Sequence, residues 1–295
     1  PHEGEQILIG MVPIPEADKR AGTTSICLRS AKHTLIEGLK VSLSEDHPRH
    51  NLSVVTMMKD EDPYLREWIE YYRLLGAGHF YIYDNRSVKR NKIRKLLNPY
   101  IQQGLVTLVD WDYPYAVDAS NTWRLCQRGQ THHCLYKYGH LNNWMLFIDI
   151  DEFVYPVDTT QMSLLPLLDS YHVNPEVAAL QFKMMWFGNS GLKTLPRGLV
   201  IENYVNRSTE VVGRGREKCC VRPDKVELLY IHGVKQCVEG SDIITVAPEQ
   251  YRINHYHATS SSRRRKTNNL HNEVEDKGML RFVPLLHENL RRKIP

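Results

Sequence analysis

An apolar run, Trp144-Met-Leu-Phe-Ile148, stops abruptly in the acidic stretch Asp149-Ile-Asp-Glu152. The run is too short for a helix and reads as a strand buried on both faces. Carboxylates at the tip of such a strand are costly unless a cation meets them. Asp149 and Asp151 are two residues apart, so on an extended chain they share a face. Two hard oxygen ligands on one face suit Mn²⁺ or Mg²⁺, ions that commonly share their shell with substrate phosphates. The spacing therefore predicts an Asp-x-Asp clamp on a nucleotide diphosphate. The competing reading is a strand that merely runs into an acidic turn.

The chain before this run alternates. Leu52–Met58 is a β-branched, apolar strand. Asp62-Pro63 opens a helix whose Leu65, Trp68, Ile69, Tyr72 and Leu75 recur at helical spacing, and Gly76 closes it. His79–Asp84 is a second strand. A helix follows from Lys89 to Gln103 with Ile93, Leu96, Leu97 and Ile101 inward, then a strand over Leu105–Asp110 and a helix over Ser120–Tyr138. Strand and helix in strict alternation predict an α/β doubly wound parallel sheet, which binds ligands beyond the carboxyl ends of its strands. Acids recur at those ends: Asp60 and Glu61, Asp84, then Asp149 and Asp151.

Elsewhere the pattern is weaker. Residues 1–50 read as a β-rich segment, with strands at Gln6–Pro13, Thr23–Leu28 and Leu35–Leu43, and 44–50 as a linker. Residues 51–260 form the main domain. Within it, Met162–Tyr171 reads as a helix, and Val177–Phe182, Leu199–Ile201, Lys218–Val221, Val226–Ile231 and Ile243–Val246 as strands. Residues 261–295 read as a basic, solvated tail opened by Arg263-Arg-Arg-Lys266.

The formal net charge of +4 over 295 residues is too small to argue for nucleic acid. No apolar run approaches the ~18 residues of a membrane span. Six cysteines and three sequons, at Asn51, Asn85 and Asn206, favour a secretory compartment and disulfides. The first residue is Pro1, so a membrane anchor is expected, if present, outside these residues.

Four stretches resemble glycosyltransferase family 92: Lys59–Gly76; His79–Ser87; Gln127 and His133–Tyr136 with Trp144–Phe153; and Lys218–Pro223 with His232 and His255-Tyr256. The resemblance runs from Leu52 to His257. It implies a GT-A, Rossmann-like mixed sheet flanked by helices and an inverting, metal-dependent transfer from a UDP-sugar to a glycan or polysaccharide acceptor. Galactose is the sugar it implies first. It also implies a type II membrane protein of the Golgi lumen.

For GT-A enzymes the motif implies Asp151 as direct metal ligand and Asp149 as a ribose, outer-sphere or further metal contact. Of the candidate histidines His232, His255 and His257, the resemblance favours His255. Lys59, Glu61, Asp84 and Asn85 are expected along the nucleotide, with Asp84 reading the uracil. Trp186 and Asn189 are expected at the sugar, and Arg222 at a phosphate or the acceptor. Inversion in one step needs a general base; Glu202 is the first candidate, with Asp242 and Glu239 behind it. Two other classes compete: a carbohydrate-binding protein of the same fold without turnover, and a phosphotransferase or hydrolase. The absence of a Gly-x-x-x-x-Gly-Lys loop tells against the latter.

Overall fold

The computed structural model describes residues 13–29, 34–42, 49–114, 123–212, 215–259 and 270–292. The chain divides into two compact units, residues 1–47 and 48–295. In the first, helix α1 (Glu16–Ala21) precedes an antiparallel hairpin of β1 (Thr23–Arg29) and β2 (Thr34–Ser42). The β-rich expectation holds there, with α1 added. The expected strand at 6–13 falls mostly, and the linker at 44–50 in large part, outside the described residues.

The second unit begins β3 (His50–Met58), α2 (Asp62–Leu74), β4 (His79–Asp84), α3 (Arg90–Gln102), β5 (Val106–Asp110), α4 (Trp123–Tyr138), β6 (Asn142–Phe147). It continues β7 (Glu152–Pro156), α5 (Leu165–His172), β8 (Val177–Phe182), β9 (Met184–Phe187), α6 (Val200–Asn203), β10 (Asn206–Arg207), β11 (Lys218–Val221). It closes with β12 (Val226–Tyr230), β13 (Gly233–Cys237), β14 (Asp242–Val246), β15 (Tyr251–Tyr256), β16 (Val274–Glu275) and α7 (Val283–Arg291).

The main sheet has the order β14-β8-β11-β6-β3-β4-β5. Neighbours pair in parallel except at β11, which runs against both β6 and β8. The sheet is thus the mixed, Rossmann-like sheet of the GT-A class, and not wholly parallel. The reversal matters for function: it places Lys218, the first residue of β11, at the carboxyl ends of its neighbours. A second sheet, β16-β10-β9-β15-β7, carries the rest of the site.

The helical stripe of α2 folds as its spacing predicts, with Leu65, Trp68, Ile69, Tyr72 and Leu75 all buried against β3, β4 and β6 residues such as Val54, Phe80 and Leu146. Gly76 follows at φ 102, and a Cβ there would stand 2.5 Å from Leu165, so the tight exit needs glycine. In α3 the inward residues are Ile93, Leu97 and Tyr100, while Ile101 is exposed: the helical period carries 93 and 97 to 100.

Four further expectations are corrected. Leu199–Ile201 is not a strand. The Glu67 carboxylate accepts from the backbone N–H of Val200 (2.7 Å) and Ile201 (3.1 Å) and so starts the helical turn α6. The segment after 261 is not wholly a solvated tail: β16 pairs with β10, and Met279, Phe282 and Leu286 join the core. The basic run 263–266 lies outside the described residues. The expected disulfides are absent: all six cysteines are unbonded, and Cys126, Cys134, Cys219 and Cys220 are buried as small apolar groups. Of the sequons, Asn85 is buried, which withdraws it as a glycosylation site.

Candidate active site

The turn from β6 to β7 sets the geometry. The Glu152 backbone N–H donates to the Asp149 carbonyl at 3.2 Å, so residues 149–152 form a tight turn. A turn, and not an extended strand, therefore joins Asp149 to Asp151. Asp149 turns towards Lys218 (2.8 Å) and Asp151 towards His255 (3.4 Å). Helix α2 pins the turn from below. Its Trp68 indole N–H donates to the Asp149 carbonyl (3.1 Å), and its Tyr72 hydroxyl donates to the Glu152 carbonyl (3.0 Å).

Lys218 is 4% exposed and also stands 3.6 Å from Glu152. Burial alone would lower its pKa, but Asp149 and Glu152 outweigh it and hold the ammonium above the usual lysine range. Glu152 is buried, and its Oε2 accepts from the Asp149 N–H at 3.0 Å. Burial pushes its carboxyl up to about 7, against the pull of Lys218.

His255 owes its place to strand register. In β15 it lies opposite Glu152 of β7 and beside Trp186 of β9. Its Nδ1 faces Glu152 Oε1 (3.7 Å) and Met184 Sδ (2.9 Å). Its Nε2, towards Asp151, is buried with no hydrogen bond of ordinary geometry among the described residues. Burial opposes the imidazolium, but Asp151 and then Glu152 hold its pKa above the ordinary value.

Ligand atoms of Asp151, Glu152 and His255 all lie within 4.8 Å of one another. Two carboxylates and an imidazole, its Nε2 3.4 Å from Asp151 without a hydrogen bond of ordinary geometry, fit a divalent ion such as Mn²⁺. Glu152 behind the ring matches the way a carboxylate orients a ligating histidine. The gathered set thus differs from the expected one: Glu152 joins Asp151 and His255, while Asp149 is drawn to Lys218.

Beside this cluster a cavity of about 270 Å³ is lined by Met57, Met58, Lys59, Glu61, Asn85, Gln127, Asp149 and Asp151. Lys59, Glu61 and Asn85 are thus together where the nucleotide was expected. The Asn85 amide donates to the carbonyls of Trp111 (2.8 Å) and Tyr113 (2.7 Å), leaving its Oδ1 buried without a partner. Gln127 Oε1 is in the same state. Asp149 is 36% exposed at its side chain.

Asp84 does not join them. It is fully buried, accepting from the Ser87 N–H (3.0 Å) and from Arg90 Nε (3.2 Å), so it anchors the β4–α3 connection and cannot read a base. Trp186 is near: it stacks on His257 (4.4 Å) and meets His255 at 6.0 Å. Asn189 is committed to its own turn, its Oδ1 accepting from Gly191 N–H (3.0 Å) and the Asn272 amide (2.8 Å).

The base candidates are displaced. Glu202 faces His287 at 3.4 Å and lines no cavity described here. Asp242 begins β14, in register with Val177 at the start of β8, which is the opposite end of the sheet from Asp149. Glu239 lies in the exposed turn before it. Arg222 is likewise at that far end, donating to the Asn174 carbonyl (3.1 Å). The roles of Lys218 and Glu152 went unread in the sequence. The available signal was a lysine directly ahead of the buried strand residues Cys219-Cys220-Val221.

The family model for glycosyltransferase family 92 matches residues 52–293. A glycosyltransferase family 92 protein of Oryza sativa is 30% identical over 70% of this chain and 33% of its own length. Galactan beta-1,4-galactosyltransferase GALS3 of Arabidopsis thaliana is 29% identical over 71% of this chain and 41% of its own. Beta-1,4-galactosyltransferase galt-1 of Caenorhabditis elegans is 25% identical over 64% of this chain and 43% of its own. The chain therefore spans a third to somewhat over two fifths of these relatives.

Proposed function

We propose, from the premise that the chain belongs to glycosyltransferase family 92, that it transfers galactose from UDP-galactose to a glycan with inversion at C1. The observation that carries this is the Asp151–Glu152–His255 cluster set beside a cavity lined by Lys59, Glu61, Asn85, Gln127 and Asp149. Four of the relatives bear the name beta-1,4-galactosyltransferase. A β-linked product from an α-linked nucleotide sugar requires inversion.

In this reading Asp151 and His255 hold a divalent ion, Mn²⁺ or Mg²⁺, with Glu152 fixing the imidazole. The ion, when bound, supplies the positive charge that stabilises the leaving diphosphate. Asp149 accepts from a ribose hydroxyl, and Lys218, at 2.8 Å, keeps it aimed. The unpartnered carbonyl oxygens of Asn85 and Gln127 accept from the donor's N–H and O–H groups. Trp186 offers an aromatic face to the hexose. The acceptor oxygen bonds C1 as the C1–O bond to phosphate breaks. UDP leaves with the electron pair, and the hydroxyl proton passes to a base on the acceptor side.

The secretory-pathway lumen is the setting that family membership supports. No helix among the described residues is long and apolar enough to cross a membrane, so any anchor lies outside those helices. The test is UDP release from a panel of UDP-sugars with Mn²⁺, Mg²⁺ or EDTA, with and without β-1,4-galacto-oligosaccharides. Metal-dependent release that favours UDP-galactose and rises with acceptor supports the reading. Binding without release would indicate a carbohydrate-binding protein.

A further inference from the structure

We propose that Asp60, which does not itself line the nucleotide cavity, is a positioning residue. It ties together the two loops that carry Lys59, Glu61 and Asn85, and so fixes the nucleoside end of the donor site. The proposal rests on the glycosyl-transfer reading above.

The cavity takes Met57, Met58, Lys59 and Glu61 from the end of β3 and the loop after it, and Asn85 from the loop after β4. Asp60 is the residue skipped. Its backbone is left-handed, at φ 57. Its carboxylate reaches instead to the second loop, where Oδ1 accepts from the Val88 N–H at 2.7 Å. The Asp60 N–H donates in turn to Ser87 Oγ at 2.9 Å. Just ahead of these, the Asn85 N–H donates to the Met58 carbonyl at 2.8 Å. Hydrogen bonds thus run from 58 and 60 on one loop to 85, 87 and 88 on the other. The Ser87 hydroxyl that completes the Asn85 sequon has its use here.

Backbone strain marks the same place. An L-residue in the left-handed region is disfavoured, and such strain persists only where its surroundings over-determine it. Among the described residues four non-glycine positions have such a φ, and Asp60 and Arg86 (φ 59) put one in each of these two loops. Asp60 is exposed, so burial does not account for its conformation. The clasp does: it needs the Asp60 N–H and carboxylate both turned to the second loop. The consequence falls on its neighbours. Lys59 and Glu61 flank Asp60, and Asn85, with its unpartnered Oδ1, is two residues from Ser87. Holding these groups at a fixed separation before the nucleotide arrives lowers the ordering cost of binding it. The cation site at Asp151 and His255 lies outside the clasp, so the chemical step does not depend on it.

The experiment measures UDP binding by calorimetry in the presence of Mn²⁺, and UDP-galactose kinetics, on the whole chain and three variants. Asp60→Gly takes up the left-handed φ freely but has no acceptor, which isolates the hydrogen bond from the strain. Its UDP Kd and UDP-galactose KM should both rise about tenfold, the worth of one or two hydrogen bonds, with kcat within about threefold of native. Ser87→Ala should raise both severalfold. Asp60→Asn keeps the Oδ1 acceptor and tolerates the φ, and should stay within about twofold of native. The ratio of UDP-galactose to UDP-glucose turnover should be the same in all of them, because the clasp acts on the nucleoside end. UDP binding by Asp60→Gly equal to native, a loss confined to kcat, or Asp60→Asn as impaired as Asp60→Gly would overturn the proposal. A native chain that binds no UDP would instead overturn the donor reading beneath it.

Discussion

The two ends of the seven-stranded sheet use their buried polar groups in opposite ways. At the amino ends of the parallel strands the groups largely consume one another. His79 meets the Gly104 carbonyl with Nδ1 and the Thr107 hydroxyl with Nε2, both at 2.9 Å, and stacks on His50. The Asn142 amide donates to the Tyr81 hydroxyl (3.2 Å) and the Tyr138 carbonyl (2.6 Å), and its oxygen accepts from Ser53. The indole nitrogen of Trp144 is the exception there. At the carboxyl ends, capacity is left over: Asn85 Oδ1 and Gln127 Oε1 have no hydrogen-bond partner among the described residues, and His255 Nε2 of the second sheet, 3.4 Å from Asp151, makes no hydrogen bond of ordinary geometry. Buried polar groups are rarely left so without reason. The first end holds the fold together, and the second is arranged to receive something.

The largest effect that sharpens this contrast is expected at Lys218. Lys218→Met leaves Asp149 and the buried Glu152 without their cation, and removing one partner of a buried pair costs about 3–5 kcal/mol. Urea melts should show that loss, and transfer should disappear. Because an added cation partly replaces the ammonium, Mn²⁺ should raise the melting temperature of this variant more than that of the native chain. A variant as stable as the native chain would break the assignment of Lys218 as the charge that organises the acids.

At the closed end the effect is on stability alone. Burial, with His50 adding, lowers the His79 pKa to about 4. Between there and the ~6.5 of an unfolded histidine, the unfolded chain binds more protons. Stability from this group is therefore full above pH ~6.5 and is lost as pH falls to about 4, by up to about 3 kcal/mol. His79→Gln should flatten that slope in denaturant titrations at pH 4.5 and 7, while transfer at pH 7 stays within twofold. A large loss of transfer would erase the distinction between the two ends. The smallest effect is expected from Glu202→Gln and Asp242→Asn, whose kcat should remain within twofold of native. A hundredfold loss in either would restore it as the base.

Much of the site's first half was legible because it depends on local pattern. The α2 stripe, the β-branched strands and the acid at each strand end are one-dimensional signals, and Lys59, Glu61, Asn85 and Asp151 follow from them. The second half depends on pairings distant in sequence. Nothing local says that β11 reverses and so carries Lys218 to the acids, or that register sets His255 opposite Glu152. The Asp-x-Asp spacing did not reveal that a tight turn, and not an extended strand, joins Asp149 to Asp151. Asp242 looked suitable for the same reason: its end of β14 is known only once the strand's direction is known.

Calorimetric titration of Mn²⁺ into the UDP-bound protein tests the central claim most directly. Asp151→Asn and His255→Gln should each weaken Mn²⁺ binding about 10- to 100-fold, as loss of a ligand or its support does, with the melting temperature of the metal-free protein little changed. Native Mn²⁺ affinity in either folded variant would contradict the claim that this pair holds the ion and, through it, the diphosphate.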